Sequence, residues 1–300
     1  MRVFYLLNRF VKEDRSVIPV DVAISLLNGI RDLLIIEVEL PEIDNSSEQD
    51  LLAETVNNAS AFDAQLYLFE VTGVLISLTF EIPEQASALL SSIIQPLLDE
   101  LRINLQTIES PQDIVPITKV HHIIMALGNV AKGFPDLPSP VPEDYIMPPI
   151  AVFRHMTQAI VVSLEAMNVF KVVRDATRFA ITRMAATMGS QVTDFIPTLM
   201  SNLLAHFEPT ELADFLIFIG LLMHRLGMEL YDVLNQLVTP LHVRIMEMLS
   251  SAVDGTDDNV THVETKKAYL LFLNNIMTNK LHGVFISECK RTFILHVDSF

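Results

Sequence analysis

The sequence predicts an all-α protein built from stacked helix pairs. Three observations lead to this fold class. Apolar residues recur with the helical period almost throughout the chain, alternating strand patterns bounded by turn dipeptides are hard to find, and prolines recur at similar intervals within long apolar segments. The 300 residues are 50% hydrophobic, which is enough to bury a large core and excludes a disordered chain.

The N-terminal half contains six helical patterns. The first has no capping residue ahead of its first apolar position, so we expect a helix entered midway, in a chain cut from something longer. The later ones are separated by short breaks that carry Pro, Gly, Asp or Asn, such as Glu81-Ile82-Pro83. The predicted helices are residues 2–12, 19–36, 59–80, 84–107, 113–133 and 145–168.

Six further patterns follow in the C-terminal half, with similar breaks at Glu208-Pro209-Thr210 and at residues 254–258. The predicted helices are residues 171–188, 192–207, 210–226, 229–252, 260–279 and 283–297. Two breaks in the whole chain are longer than the others. They predict an acidic loop at about 37–58 and a Pro-rich loop at about 134–142.

A weak internal repeat groups these helices. Pro96, Pro148, Pro197 and Pro240 each lie near the start of a long apolar helix, with spacings of 52, 49 and 43 residues. HEAT repeats, in which two antiparallel helices stack on the next pair, have periods of roughly 40 to 47 residues. We therefore expect residues 1–300 to form one HEAT-repeat segment of a longer solenoid, with about six to seven antiparallel helix pairs forming an α-α superhelix.

The mean hydropathy of +0.39 raises the question of a membrane. The longest apolar runs, at 71–80 and 215–223, are bounded by Glu70 and Asp214, and they are shorter than the roughly 20 residues that a spanning helix needs. Helices in a solenoid are covered by neighbours on two sides, which accounts for the hydropathy. We expect no membrane insertion.

Charge is distributed unevenly. The net charge is −17, and between Asp32 and Leu101 there are 14 acidic residues and no Lys or Arg. Such a block is commonly a solvated, flexible loop, or it is a docking surface for a basic partner. Binding to nucleic acid cannot involve the whole surface and requires a local basic patch.

The sequence contains none of the common catalytic or phosphate-binding motifs, so we expect no enzyme activity, cofactor or metal. His121 and His122 are adjacent, and neighbouring helix positions point about 100° apart. They therefore cannot clamp one ion as an i, i+4 pair would.

One basic cluster stands out from the acidic background. Lys171, Arg174 and Arg178 are spaced three and four residues apart, which places them within about 60° on one helical face. Arg183 points elsewhere. The three either pair with Asp175 and Glu165 at the surface or form a phosphate-contacting stripe, because guanidinium groups suit phosphate oxygens. If they form the stripe, they are candidate contacts for phosphate groups.

Several segments form a collinear set along the chain. They are MRVFYLLNRFVK at 1–12, ALGNVAKGF at 126–134, RDATRFAITRM at 174–184 and the segments 65–76, 195–199, 211–218, 237–242 and 266–273. Their order and spacing resemble the central part of the exportin-T family, the tRNA exportins of the importin-β (karyopherin) superfamily. The resemblance covers nearly all of this chain but only the middle of the family's longer chain.

This resemblance implies a HEAT solenoid that binds mature tRNA cooperatively with GTP-bound Ran and carries it through the nuclear pore. It also implies contacts with nuclear pore proteins, shuttling between nucleus and cytoplasm, a monomer within the export complex and no catalytic activity. Arg174, Arg178 and Arg183 match the family's helix pattern, and Lys171, Arg174 and Arg178 are our candidate tRNA contacts because of their shared helical face. The alternative is a protein-binding HEAT scaffold or a protein-cargo karyopherin, because the charge of −17 suits basic protein partners better than RNA.

Overall fold

A computed structural model describes residues 2–40, 50–250 and 255–286, with the side chains of 256–258 excepted, and it divides the chain into two compact units. The first is Met1–Phe195 and the second is Ile196–Phe300. Within the described ranges the regular structure is helical, with no strand, so the all-α prediction is confirmed.

The described residues of the first unit form eight α-helices, with 3-10 turns at Arg31–Leu34 and Gly189–Phe195. They are α1 (Arg2–Glu13), α2 (Val20–Ile30), α3 (Leu51–Asn57), α4 (Ser60–Ser77), α5 (Pro83–Thr107), α6 (Ile114–Gly133), α7 (Ile150–Met167) and α8 (Lys171–Met188).

The helices of the first unit stack as HEAT-type pairs. In one layer α1, α4, α6 and α8 pack side by side in chain order, and α5 packs against α7 in the other. The hairpin of α5 and α6 is antiparallel, since Lys119 of α6 reaches back to Glu100 of α5, with 2.7 Å between Nζ and Oε1. The inner helices of this layer, α4 and α6, are therefore covered by neighbours on two sides.

The closest backbone approach in the first layer is between α4 and α6. A Cβ added to Gly133 would lie 2.1 Å from the carbonyl oxygen of Glu70, and one added to Gly73 would lie 2.0 Å from that of Val130. Because real Cβ atoms do not come this near to a backbone oxygen, only glycine fits at either position. The two glycines let α4 and α6 pack backbone to backbone.

The acidic loop predicted over 37–58 is partly wrong, because Leu51–Asn57 forms α3. The Asp50 side chain accepts hydrogen bonds from the backbone N–H groups of Leu52 and Ala53, which caps the helix. Leu52 and Thr55 are buried, and α3 packs against α6. The segment 41–49 of the predicted loop lies outside the described residues.

The Pro-rich loop predicted over 134–142 is present and longer, because α7 begins at Ile150 rather than near 145. Pro148 and Pro149 account for the difference, since a residue that precedes proline is disfavoured in the helical region. The loop is tied to α8 by the Leu137 N–H, which donates to the Ala186 carbonyl at 2.8 Å.

Two of the four repeat prolines are not near helix starts. Pro96 lies in the interior of α5, and Pro240 lies in the interior of a C-terminal helix. The proline spacing therefore marks helices that recur along the chain, and it does not mark a constant position within them.

In the second unit the described helices are α9 (Ile196–Ala205), α10 (Leu212–Leu226), α11 (Tyr231–Ser250), α12 (Thr256–Thr278) and α13 (Gly283–Ile286). Here α10 packs along α12, and α11 contacts both α12 and α13. The remainder of the predicted helix 283–297 lies outside the described residues.

By length and composition, α6 could cross a membrane, and α3 with α4 would qualify as one span bent by 52°. In α6, 72% of the qualifying window is buried, by packing against α4, α5 and α8. This packing explains the apolar composition of α6.

Candidate nucleic-acid interface

Basic residues concentrate on two neighbouring helices of the first unit. Together α6 and α8 carry six Lys or Arg residues and one acidic residue, in a chain whose net charge is −17. Binding to a polyanion requires a local basic region whose side chains reach the surface. The six are Lys119, Lys132, Lys171, Arg174, Arg178 and Arg183.

The start and end of α8 fix which side chains it presents. It begins at Lys171, after Phe170 in an extended conformation, and it ends before Gly189, whose φ is +57°. Positive φ favours glycine, and a Cβ there would also lie 2.6 Å from Leu137 Cδ2. The predicted bounds of this helix, 171–188, are confirmed.

Lys171 is the candidate contact whose side chain reaches solvent. Its Nζ lies 2.7 Å from Oδ2 of Asp175, one helical turn further on. Surface pairs of this kind contribute only about 0 to 1 kcal/mol. Lys171 can therefore exchange its carboxylate partner for a phosphate at little cost in stability.

Arg174 is fully buried. Its Nη1 donates to the carbonyl oxygens of Asn168 and Val169, at 2.8 and 3.0 Å, just beyond the C-terminal end of α7. A cation that donates to carbonyls at a helix C-terminus satisfies acceptors left open there and offsets the negative end of the helix dipole. In this conformation the guanidinium joins α7 to α8.

Arg178 is also buried, and its Nη2 is paired with Oδ1 of Asp175. The expected stripe therefore divides: Lys171 lies at the surface, whereas Arg174 and Arg178 lie inside, because α8 is covered on two sides by α6 and α7. Contact of these residues with RNA stays a prediction, and for the two arginines it requires a change of side-chain conformation.

Helical spacing does not select Arg183 as a candidate contact. It is only partly buried, and its guanidinium carbon lies 5.7 Å from the ring centroid of Phe179, over the ring. Its Nε is buried without a hydrogen-bond partner among the described residues. The sequence does carry a signal, because an aromatic residue four positions before an arginine places a flat ring under the guanidinium.

His121 and His122 contact each other. Their Nδ1 atoms are 3.0 Å apart, and the His122 ring stacks on Phe62 at 3.7 Å between centroids. Burial lowers the pKa of His121 to about 4 and that of His122 to about 3, so both rings are neutral near pH 7. No cluster of three or more potential metal ligands occurs in the part of the chain that the structure describes.

Comparison with known proteins gives one consistent result. The sequence model of the Exportin-T family matches residues 1–297. Proteins named Exportin-T from Laccaria bicolor and Coprinopsis cinerea are 54% and 49% identical to this chain over 96% of its length. One from Mycosarcoma maydis is 38% identical, also over 96%. The chain spans about a quarter of each relative's length, 27%, 27% and 26% respectively.

Proposed function

The chain belongs to the exportin-T family, and we propose that it is the central HEAT-repeat part of a nuclear export receptor for tRNA. The match over residues 1–297 carries this proposal. The concentration of basic residues on α6 and α8 supports it, because an otherwise acidic chain can bind RNA only through such a region.

In the full-length receptor, we propose that tRNA binds cooperatively with GTP-bound Ran. The receptor then passes the nuclear pore through contacts with pore proteins and shuttles between nucleus and cytoplasm as a monomer within the export complex. It acts by binding and has no catalytic activity. Lys171 is the α8 side chain best placed to contact the RNA backbone, because it is exposed and its present partner is a surface carboxylate.

A protein-cargo karyopherin or a protein-binding HEAT scaffold is the second candidate. One specific observation favours it: from Asp32 to Leu101 the chain has 14 acidic residues and no Lys or Arg. Such a surface attracts basic proteins and repels RNA. In the proposed receptor, this region would instead face solvent or a basic patch of Ran.

The experiment is a binding titration of the full-length protein with tRNA, with and without GTP-loaded Ran, over a series of salt concentrations. We expect Ran-dependent binding that weakens steeply as salt increases, since phosphate contacts release counterions. Absence of Ran-dependent tRNA binding, together with tight binding of basic proteins, would refute the tRNA-receptor proposal and favour the second candidate.

A further inference from the structure

Three helices of the first layer bring basic side chains to one place. Lys12 of α1 and Lys132 of α6 lie on either side of Glu70 of α4. Lys12 Nζ is 2.7 Å from Oε1 of Glu70, and Lys132 Nζ is 3.1 Å from Oε2. The carboxylate is buried, with 3% of its side chain exposed, whereas the two lysine side chains are 48% and 34% exposed. Each carboxylate oxygen thus holds one ammonium group at the surface.

Arg183 of α8 lies next to Lys132. The Thr187 hydroxyl is within hydrogen-bonding distance of two carbonyl oxygens, at 3.3 Å from that of Ala131 and 3.1 Å from that of Arg183. Because one hydroxyl reaches both, the backbone of Arg183 lies beside that of Ala131, the residue just before Lys132.

The contact one helical turn earlier, between Phe179 of α8 and Gly128 of α6, supports the same alignment of the two helices. One turn earlier, the Phe179 ring approaches Gly128 so closely that a Cβ there would lie 2.8 Å from Cε1 of the ring. Lys132 is four residues after Gly128, and Arg183 is four residues after Phe179, so each shares a helical face with its predecessor. Arg183 and Lys132 therefore lie at a similar level on two neighbouring helices, and the Lys132 ammonium reaches to Glu70 of α4.

This arrangement is electrostatically incomplete. Two lysines flank a single carboxylate, so this cluster keeps a net positive charge, and on the neighbouring helix α8 the Nε of Arg183 is buried without an acceptor in the described part of the chain. Like charges side by side repel one another, and a buried donor without an acceptor is destabilising. An anion bound above the row would relieve the repulsion.

We propose that Lys12, Lys132 and Arg183, here called the basic row, bind successive phosphates of an RNA backbone. The row crosses α1, α4, α6 and α8, so it presents a line of positive charge rather than a single pocket. A phosphodiester backbone is a line of regularly spaced anions, and a guanidinium is suited to bind phosphate oxygens in a bidentate manner. The inference rests on the proposed function and identifies where on this segment the tRNA lies.

The test uses the full-length protein with GTP-loaded Ran and tRNA, in equilibrium titrations at several salt concentrations. Arg183→Gln and Lys132→Gln each remove one cation from the row. Arg102→Gln is the matched control, because Arg102 is an exposed arginine on α5, in the other layer, and pairs only with a surface carboxylate one turn away. Circular dichroism and binding of GTP-loaded Ran without tRNA are measured for every variant.

We expect Arg183→Gln to weaken tRNA binding roughly tenfold, the value for losing one charged hydrogen bond of about 1.5 kcal/mol. The slope of log affinity against log salt should become shallower by about one. Lys132→Gln should have a similar slope change, Arg183→Lys should recover part of the affinity, and Arg102→Gln should match wild type.

The outcomes are distinguishable. If wild-type protein shows no Ran-dependent tRNA binding, the proposed function itself fails. If wild type binds tRNA and the row variants behave like Arg102→Gln, the basic row is refuted while the proposed function stands. If the row variants lose affinity for Ran but keep affinity for tRNA, the row binds a protein, and the RNA assignment is overturned.

Discussion

The close backbone contact between α4 and α6 can be tested by adding one methyl group. In Gly133→Ala, the new Cβ would lie 2.1 Å from the Glu70 carbonyl oxygen, 2.6 Å from the Val74 nitrogen and 2.8 Å from the Gly73 Cα. All three atoms belong to the α4 backbone, so no side chain can rotate away. The two helices must move apart, and the tightly packed layer must open with them.

The expected cost follows from these distances. An ordinary contact for a Cβ is about 3.4 Å or more, so the backbones must separate by about 1 Å. Overpacking of this kind costs about 1 to 3 kcal/mol, and a backbone clash belongs at the upper end. Alanine regains at most about 1 kcal/mol of helix propensity over glycine. The net loss is about 2 kcal/mol, which lowers the Tm of a unit of this size by about 4 to 8 °C.

Thermal unfolding followed by circular dichroism measures the effect, and hydrogen exchange of peptides from α4 and α6 locates it. Gly29→Ala is the control: Gly29 lies in α2, and a Cβ there has nothing within 4 Å, so we expect unchanged or slightly raised stability. If Gly133→Ala unfolds at the same temperature as Gly29→Ala, the backbone contact between α4 and α6 does not exist as described.

Three further predictions follow from buried charged and titratable groups. Burial raises the pKa of Glu70, but its two lysine partners outweigh burial, so the net effect is a lowered pKa. Glu70→Gln should therefore lower the free energy of unfolding at about pH 7. In urea unfolding, this difference from wild type should shrink below about pH 4.3, where the carboxylate becomes protonated. His121 and His122 stay neutral in the folded chain but protonate in the unfolded chain as the pH falls below about 6.5. Each residue should therefore lower the free energy of unfolding by about 2 kcal/mol between about pH 6.5 and pH 5. A His121→Asn/His122→Phe variant should lack this dependence of stability on pH. Arg174→Met should lower the Tm by several degrees, because two carbonyls lose their buried donor, whereas Lys171→Gln should leave the Tm unchanged and weaken only tRNA binding.

The helices were predictable where a long apolar period coincides with clear boundaries. The bounds of α8 agree residue for residue with prediction, and those of α5 and α6 differ by one residue at the N-terminal end. The helix α3 was missed because seven residues are too few for a period to show. Its stability comes from the Asp50 cap and from packing against α6, and the second of these is a tertiary effect that a local pattern does not contain.

The candidate site shows the same limit more sharply. Helical spacing correctly places Lys171, Arg174 and Arg178 on neighbouring positions, but spacing does not reveal which neighbour covers that face. Arg174 is buried because α7 ends against it with open carbonyl groups. Helical spacing places Arg183 on a different face from the other three, and its guanidinium lies over the Phe179 ring, which packs against Gly128 of α6. Prediction of this site therefore required the register between helices.

The close contact of α4 with α6 at Gly73 and Gly133 helps to position the basic row. Gly73 and Gly133 fix the spacing of α4 and α6, and Glu70 and Lys132 lie on these same two helices. A contact that packs backbone to backbone has little freedom to slide, so Lys132 and the Glu70 carboxylate that pairs with Lys12 are held at a set spacing before any ligand arrives. Preorganisation of this kind lowers the entropy cost of binding. Gly133→Ala should therefore weaken tRNA binding even at temperatures where the chain remains folded, because the helix carrying Lys132 has moved.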